Sequence, residues 1–232
     1  SDRMDMTLLS SSLATNWFHG SILSGLIITL TMVMELQCLD KVRELRSRSG
    51  GEQLYNKALL ANAFNVMILG PLTYHITIAY LCNPGPFTVL QQVQKTMGVV
   101  LVEGFLYYLI HKAFHEVRGW WWMHKFHHQF HLVVLPSSAN AVSLAEFSFA
   151  YMAPISIGCY LTQADRFSGV FATAIIGIAN LTIHSPFLLG KQLPWFMVST
   201  DDHFRHHRKV TTDYAAPVFH FDRILRAAHS KT

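Results

Sequence analysis

Charge is what this sequence has least of. Only 14% of its 232 residues are Asp, Glu, Lys or Arg, against about 25% in an ordinary soluble domain. Apolar residues make up 51%, and the mean hydropathy is positive. The uncharged residues fall in long runs, which excludes an ordinary soluble globule and points to a membrane protein. Cysteine is scarce too. Cys38, Cys82 and Cys159 have neither the number for a disulfide framework nor the pair spacing of a zinc site, so buried structural thiols are expected. The net charge of +4 does not imply nucleic acid, because the Lys and Arg residues sit in short segments between apolar runs and build no basic, aromatic-studded face. No internal repeat is found. The first residues are polar and the first apolar run is too long for an h-region, so no cleavable signal peptide is expected.

What is present begins with five apolar stretches of about spanning length, near 17–39, 58–81, 96–110, 144–161 and 168–183. Pro71 and Pro154 interrupt the second and fourth, which is tolerable where neighbouring helices satisfy the freed carbonyls. The 46–51 stretch reads as a short flexible loop. The fold class expected is all-α, an integral membrane bundle of about five spans. Charge orients it. Of the 18 Lys and Arg residues, all but Arg3, Lys95 and Arg166 fall in 40–57, 111–143 and 184–232. The positive-inside rule makes those three segments cytoplasmic.

The orientation was not built from histidines, yet it places His111, His115, His124, His127, His128, His184, His203, His206 and His207 all on that one face. His111 and His115 are spaced i, i+4. His124, His127 and His128 are spaced i, i+3, i+4, and His203, His206 and His207 repeat that spacing. His184 ends the fifth stretch, four residues after Asn180. On a helix each set shares one face, with neighbouring side chains about 5–6 Å apart. Nine imidazoles exceed a mononuclear site, since a tetrahedral zinc takes four ligands. Two metals with four or five nitrogens each use the set. Imidazole suits Fe, Zn, Cu and Ni alike. His115-Glu116 is followed by Gly119 where a His-Glu-x-x-His motif needs a ligand, and there is no Glu-x-x-His, which excludes the soluble di-iron carboxylate bundle. His19, His75, His220 and His229 read as satisfied polar residues, and His131 as an extension of the second cluster.

At these residues the sequence resembles the fatty acid hydroxylase/sterol desaturase superfamily, integral-membrane di-iron enzymes defined by histidine boxes. The resemblance covers about 99–225. His111-Lys-Ala-Phe-His115 fits the first box, His124-Lys-Phe-His-His128 the second, the stretch ending in His184 the extra histidine, and His203-Phe-Arg-His-His207 the last. Residues 213–225 resemble the closing segment. The chain departs from the pattern at Gly104, where many members carry Asp, at Asn180, where some carry a further histidine, and after Leu225, where Phe-Gly-Thr is missing. Glu146 keeps the acid found after the second box.

The resemblance implies two Fe ions held by His111, His115, His124, His127, His128, His184, His203, His206 and His207, with O2 as co-substrate. It also implies a lipid substrate, a sterol, triterpene or fatty acyl chain, that is hydroxylated, desaturated or epoxidised. Unactivated C–H cleavage needs an oxidant beyond any side chain, which agrees. The chain carries no Cys-rich cluster motif, haem-attachment pair or dinucleotide fingerprint, so electrons must come from an external carrier. By resemblance this is cytochrome b5 or a similar donor with its reductase, and the basic C-terminal segment is a candidate dock. The location expected is the endoplasmic reticulum in a eukaryote, multi-pass, with the histidine-box cap and active site on the cytoplasmic face. Residues 1–98 are expected to supply N-terminal spans and 99–232 the catalytic region, within one integrated domain. Glu103, Glu146 and Asn180 are candidates to support the ligands from behind, and Asp201 and Asp202 to orient the last box. Trp120, Trp121 and Trp122 read first as an interfacial anchor. Rival readings are a membrane metal transporter, which expects ligands near the bilayer midplane, and a zinc-dependent membrane hydrolase.

Overall fold

The computed structural model describes residues 2–230, with side chains from residue 13 onward. Eight helical elements carry the architecture: α1 (Asp2–Leu36), α2 (Leu39–Ser47), α3 (Gly51–Leu81), α4 (Val89–Glu116), α5 (Leu144–Leu161), α6 (Arg166–Ile183), α7 (Thr200–Lys209) and α8 (Phe221–His229). No strand occurs among the described residues, where Met197 and Phe219 form an isolated antiparallel bridge. Helices α1, α3, α4, α5 and α6 are long and apolar enough to cross a membrane, so the five expected spans are the five found.

Their ends differ from the apolar stretches for local reasons. The first stretch stops at Leu36, because the chain turns at Cys38, whose N–H donates to the Glu35 carbonyl at 3.0 Å, and starts again as α2. Helix α4 begins seven residues before its apolar run. Thr88 and Gln91 form a capping box there, each side chain accepting from the other's backbone N–H at 3.3 and 2.9 Å. Asp165 caps α6 by accepting from Ser168 N at 2.9 Å. Polar caps lower hydropathy, so a hydropathy reading misses the turns they start.

Pro71 and Pro154 do not break their spans. Each stands two residues past the end of a π-helical segment, Asn65–Leu69 or Phe147–Met152. There the bonds run i to i+5, from Gly70 N to Asn65 O and from Ala153 N to Ser148 O. The widened turn makes room for a ring that would otherwise meet the carbonyl four residues back.

Helix α4 is central, packed on α5 and α6. A Cβ at Gly158 of α5 would stand 3.2 Å from the Val99 carbonyl, so glycine lets the two helices approach closely here. Val99, Val100, Ile155, Cys159, Ala172 and Ile176 are buried together behind it. Helix α1 lies on α3 with Gly20 against Pro71. Outward-facing Leu26, Met32, Leu60 and Phe167 are exposed, as lipid-facing positions are. At the end away from the histidines the connections are tied together. Asn83 N donates to Ala164 O, Lys95 Nζ to the Thr162 and Gln163 carbonyls, and Arg166 to Asn16. Cys38 and Cys159 are buried and Cys82 half-buried, all as free thiols.

The histidine-bearing end is capped by the segment between α4 and α5, of which residues 133–142 are buried. A buried loop must find partners for its backbone, and the spans supply them. Glu35 accepts from Ser137 N and from Tyr55 Oη. Asn62 donates to Ser137 O, and Asn65 to both Asn140 O and Val142 O at 3.0 and 3.1 Å. Apolar contacts of Val42, Leu45 and Ala58 with Phe130, Val133 and Leu135 complete the join. Replacing Asn65 with Leu keeps the branching of the side chain but strands two buried carbonyls, at a cost of about 1–3 kcal/mol each. Thermal unfolding in detergent is expected to show a lowered Tm with helix content intact. An unchanged Tm would contradict this account of the cap.

Candidate metal centre

Four segments deliver the nine histidines. His111 and His115 stand on the last two turns of α4. The chain leaves that helix through Gly119, whose φ of +91° suits glycine. A single α-turn, Trp121–His124, and a 3-10 turn, His127–Phe130, then carry the second cluster. The spacing suggests a continuous helix here; the structure breaks it between His124 and His127. His184 follows the last turn of α6. His203, His206 and His207 stand on α7, whose N-terminus is closed by a capping box between Ser199 and Asp202.

The rings sort into two groups, each with ligand nitrogens within 4.8 Å of one another: His111, His115, His124, His128 and His206 in one, His127, His184, His203 and His207 in the other. In both His-x-x-His-His boxes the i, i+4 pair goes to one group and the middle histidine crosses to the other. All but His115 are buried, most of them completely.

The tautomers are constrained by what lies behind the rings. A carbonyl only accepts, so His111 must donate its Nδ1–H to Tyr214 O, His184 to Asn180 O and His206 to Thr212 O, each at 2.7 Å. Their Nε2 atoms are then lone pairs aimed into the groups. His111 Nε2 is approached by His124 Nε2 at 2.9 Å and His115 Nε2 at 3.3 Å. His184 Nε2 is approached by His203 Nε2 at 2.9 Å and His127 Nε2 at 3.4 Å. One lone pair cannot accept along two directions, so hydrogen bonding alone cannot satisfy either group. A cation at the centre of each group does, and the nitrogens fit one. His124 adds the usual support of a metal-ligating histidine, its Nδ1 lying 2.6 Å from Glu146 Oε1.

Burial also keeps the rings neutral, as ligands must be. Desolvation, reinforced by neighbouring imidazoles, holds His124, His127, His203 and His207 well below the ordinary histidine range. Burial, with its neighbours adding to it, takes His128 down to about 2. It takes His184 and His206 to about 4, although their carbonyl partners pull the other way.

The remaining candidates take different places. Glu103 is buried in α4 and its Oε2 has no hydrogen-bond partner among the described residues. The Asn180 side chain donates to Ala139 O, and it is the Asn180 backbone that meets His184. Asp202 is buried and accepts from Arg205, Arg223 and Ser199, whereas exposed Asp201 accepts from Gly190 N. His131 is exposed and in neither group, as are His19 and His229, and His75 belongs to neither. His220 departs from a hydrogen-bonded role. It is fully buried with both nitrogens unbonded, facing Asp202, Asp213 and Asp222 at 3.6–3.8 Å. Asp202, Asp213 and His220 form a third compact group, but Arg205 already pairs both aspartates and Arg223 pairs Asp202.

Sequence reasoning missed the carbonyls of Thr212 and Tyr214, for which no side-chain signal exists because every residue has a carbonyl. It also missed Trp121 as a wall of the site, its ring centroid 5.2 Å from His115 and 5.3 Å from His128. The signal was there: Trp121 lies three and seven residues before His124 and His128, on the same face.

Below the rings a cavity continues between the spans. Tyr107 and Asn180, each four residues before a histidine of the groups, line its head, and Cys159 and Gly169 its far end. The wall from Asn180 to Gly169 along α6 is about 16 Å long at the α-helical rise. Apart from seven hydroxyl side chains, two asparagines, Cys159 and Glu103, the lining is apolar.

The family model described as fatty acid hydroxylase matches residues 96–227. A protein named fatty acid hydroxylase ahd1, from Mycosarcoma maydis, is 30% identical over 135 residues, a match covering 58% of this chain but 33% of the relative. No solved structure matches the chain.

Acid is expected to unfold the metal-free protein through these rings. The folded imidazoles have lowered pKa values, so the unfolded chain binds more protons, and stability is complete above the ordinary value of 6.5 and declines as pH falls toward about 4. Tm measured across that window should drop; a flat profile would contradict the buried neutral assignment.

Proposed function

The chain belongs to the fatty acid hydroxylase family, and from that premise we propose that it is a membrane oxygenase. Its nine imidazoles would hold two iron ions, and it would use O2 and external electrons to hydroxylate, desaturate or epoxidise a lipid. The observation that carries this reading is the sorting of nine buried histidines into two all-nitrogen groups at the head of an apolar cavity. Iron bound there would supply the oxidant that an unactivated C–H bond demands and no side chain provides.

The chain's own residues do the rest. His111, His115, His124, His128 and His206 hold one ion, and His127, His184, His203 and His207 the other. Glu146 orients His124, and the carbonyls of Tyr214, Asn180 and Thr212 keep the lone pairs of His111, His184 and His206 turned inward. Phe114, Phe130, Leu135 and Ile183, nearly inaccessible at the same end, exclude water from the rings. The cavity aligns the lipid beneath them. A shallower outer groove between α1 and α6 shares Leu23 and Tyr74 with the cavity and gives a lateral route from the bilayer. The substrate is a sterol, triterpene or fatty acyl chain. Electrons come from cytochrome b5 or a similar carrier and its reductase, docking on the Lys- and Arg-rich face. That face is cytoplasmic, in the endoplasmic reticulum if the source is eukaryotic.

Chelator-free purification is expected to yield two iron ions per chain. Comparison of lipids from cells with and without the chain, under O2, should show a species gaining one oxygen or losing two hydrogens. His124→Ala and His207→Ala, one from each group, should each lower activity by a hundredfold or more. Glu146→Ala should lower it, or the metal affinity, by roughly ten- to a hundredfold. Full activity in the histidine variants, or lipid turnover without O2, would overturn the reading.

A further inference from the structure

The cavity wall holds a group that the proposed chemistry does not use. Glu103 lies two turns below His111 on α4, roughly 12 Å down the helix. It is 1% exposed and lines the cavity. No hydrogen bond ties it to a ligand histidine, and its Oε2 has no partner among the described residues. Among those residues no Lys, Arg or His lines the cavity, and Glu103 is the one carboxyl in its wall. An isolated carboxylate in such a place is far more costly than a neutral acid, and even the neutral acid is costly without a hydrogen-bond partner. Asn62, Asn65 and Glu35 by contrast each reach backbone across the cap, whereas Glu103 faces the cavity.

We propose that Glu103 is a specificity-determining residue, and that its missing partner is a hydroxyl carried by the lipid substrate at a distance from the carbon presented to the histidines. This rests on the reading of the cavity as the lipid site. It deepens that reading by naming the class: lipids with a hydroxyl group about two helical turns from the reacting end, in preference to plain hydrocarbon chains. A carboxylic acid and a hydroxyl can each donate and accept, so one pair satisfies both. A chain without the hydroxyl leaves Glu103 unpaired, and buried polar groups left unpaired are what make a site reject an analogue.

The test compares retention of isotope-labelled dodecanol and dodecane by the full chain in lipid nanodiscs, with and without iron. The unsubstituted chain is expected to retain dodecanol at least tenfold better than dodecane. Glu103→Leu and Glu103→Ala should both erase the preference while still retaining dodecane, which shows that the cavity is intact. Glu103→Gln, able to donate and accept, should keep most of the preference. An equal preference in the Leu and Ala variants overturns the proposal, as does no preference in the unsubstituted chain. Dodecylamine held more tightly than dodecanol overturns it too, because the acid would then be pairing with a cation. Retention is read without turnover, so a chain that oxidises no lipid under O2 would defeat the oxygenase reading and leave this outcome standing on its own.

Discussion

Nine imidazoles, eight of them buried, with nitrogens turned on one another, are the constraint on which the rest of this structure depends. A buried imidazole is held with its lone pair inward when its other nitrogen donates. The protein supplies such a partner at four of the nine rings, with backbone carbonyls at three and Glu146 at the fourth. Those partners must in turn be fixed. Asn180 is fixed by α6 itself. Glu146 starts α5, where Ser143 caps the turn. Thr212 and Tyr214 flank Asp213, which Arg205 ties back to α7 at 2.7 Å.

The sharing of histidines between groups follows from having few segments and two centres. Each His-x-x-His-His box spends its i, i+4 pair on one group and its middle ring on the other, so the second and last boxes both stitch the two groups together. The second box can do this because its backbone changes from α to 3-10 between His124 and His127. Neither group is complete within one element: one needs α4, the segment after it and α7 to meet, the other that same segment, the end of α6 and α7. That explains the investment in the buried cap segment, whose backbone is held by Glu35, Asn62 and Asn65 from two different spans.

The cavity is the complement of this arrangement. Close approach at Gly158 and Gly20 pulls α5 onto α4 and α1 onto α3, while the space among the five spans stays open beneath Tyr107 and Asn180. The rings are tightly packed, the space under them is not, and Glu103 stands in the wall of that space.

Much of this was legible in the amino-acid sequence. Low charge and long apolar runs determine five spans, because a hydrocarbon medium admits little else. The Lys and Arg distribution places every box at one end, and i, i+4 spacing puts the imidazoles on common faces. Local physics is enough for each of these. The sequence was silent where the deciding contacts are distant or carried by the backbone. Carbonyls leave no trace in residue identity, so the partners of His111 and His206 could not be read. The early starts of α4 and α6 were hidden by polar caps. Glu103, Glu146 and Asn180 looked alike as polar residues near histidines, yet Glu146 reaches a ring, Asn180 serves through its main chain, and Glu103 faces empty space. Sequence alone picked out the nine rings that gather at one end of the bundle. Only the tertiary structure decided which ring joins which group and what stands behind it, because that depends on how separate segments pack and not on spacing within any of them.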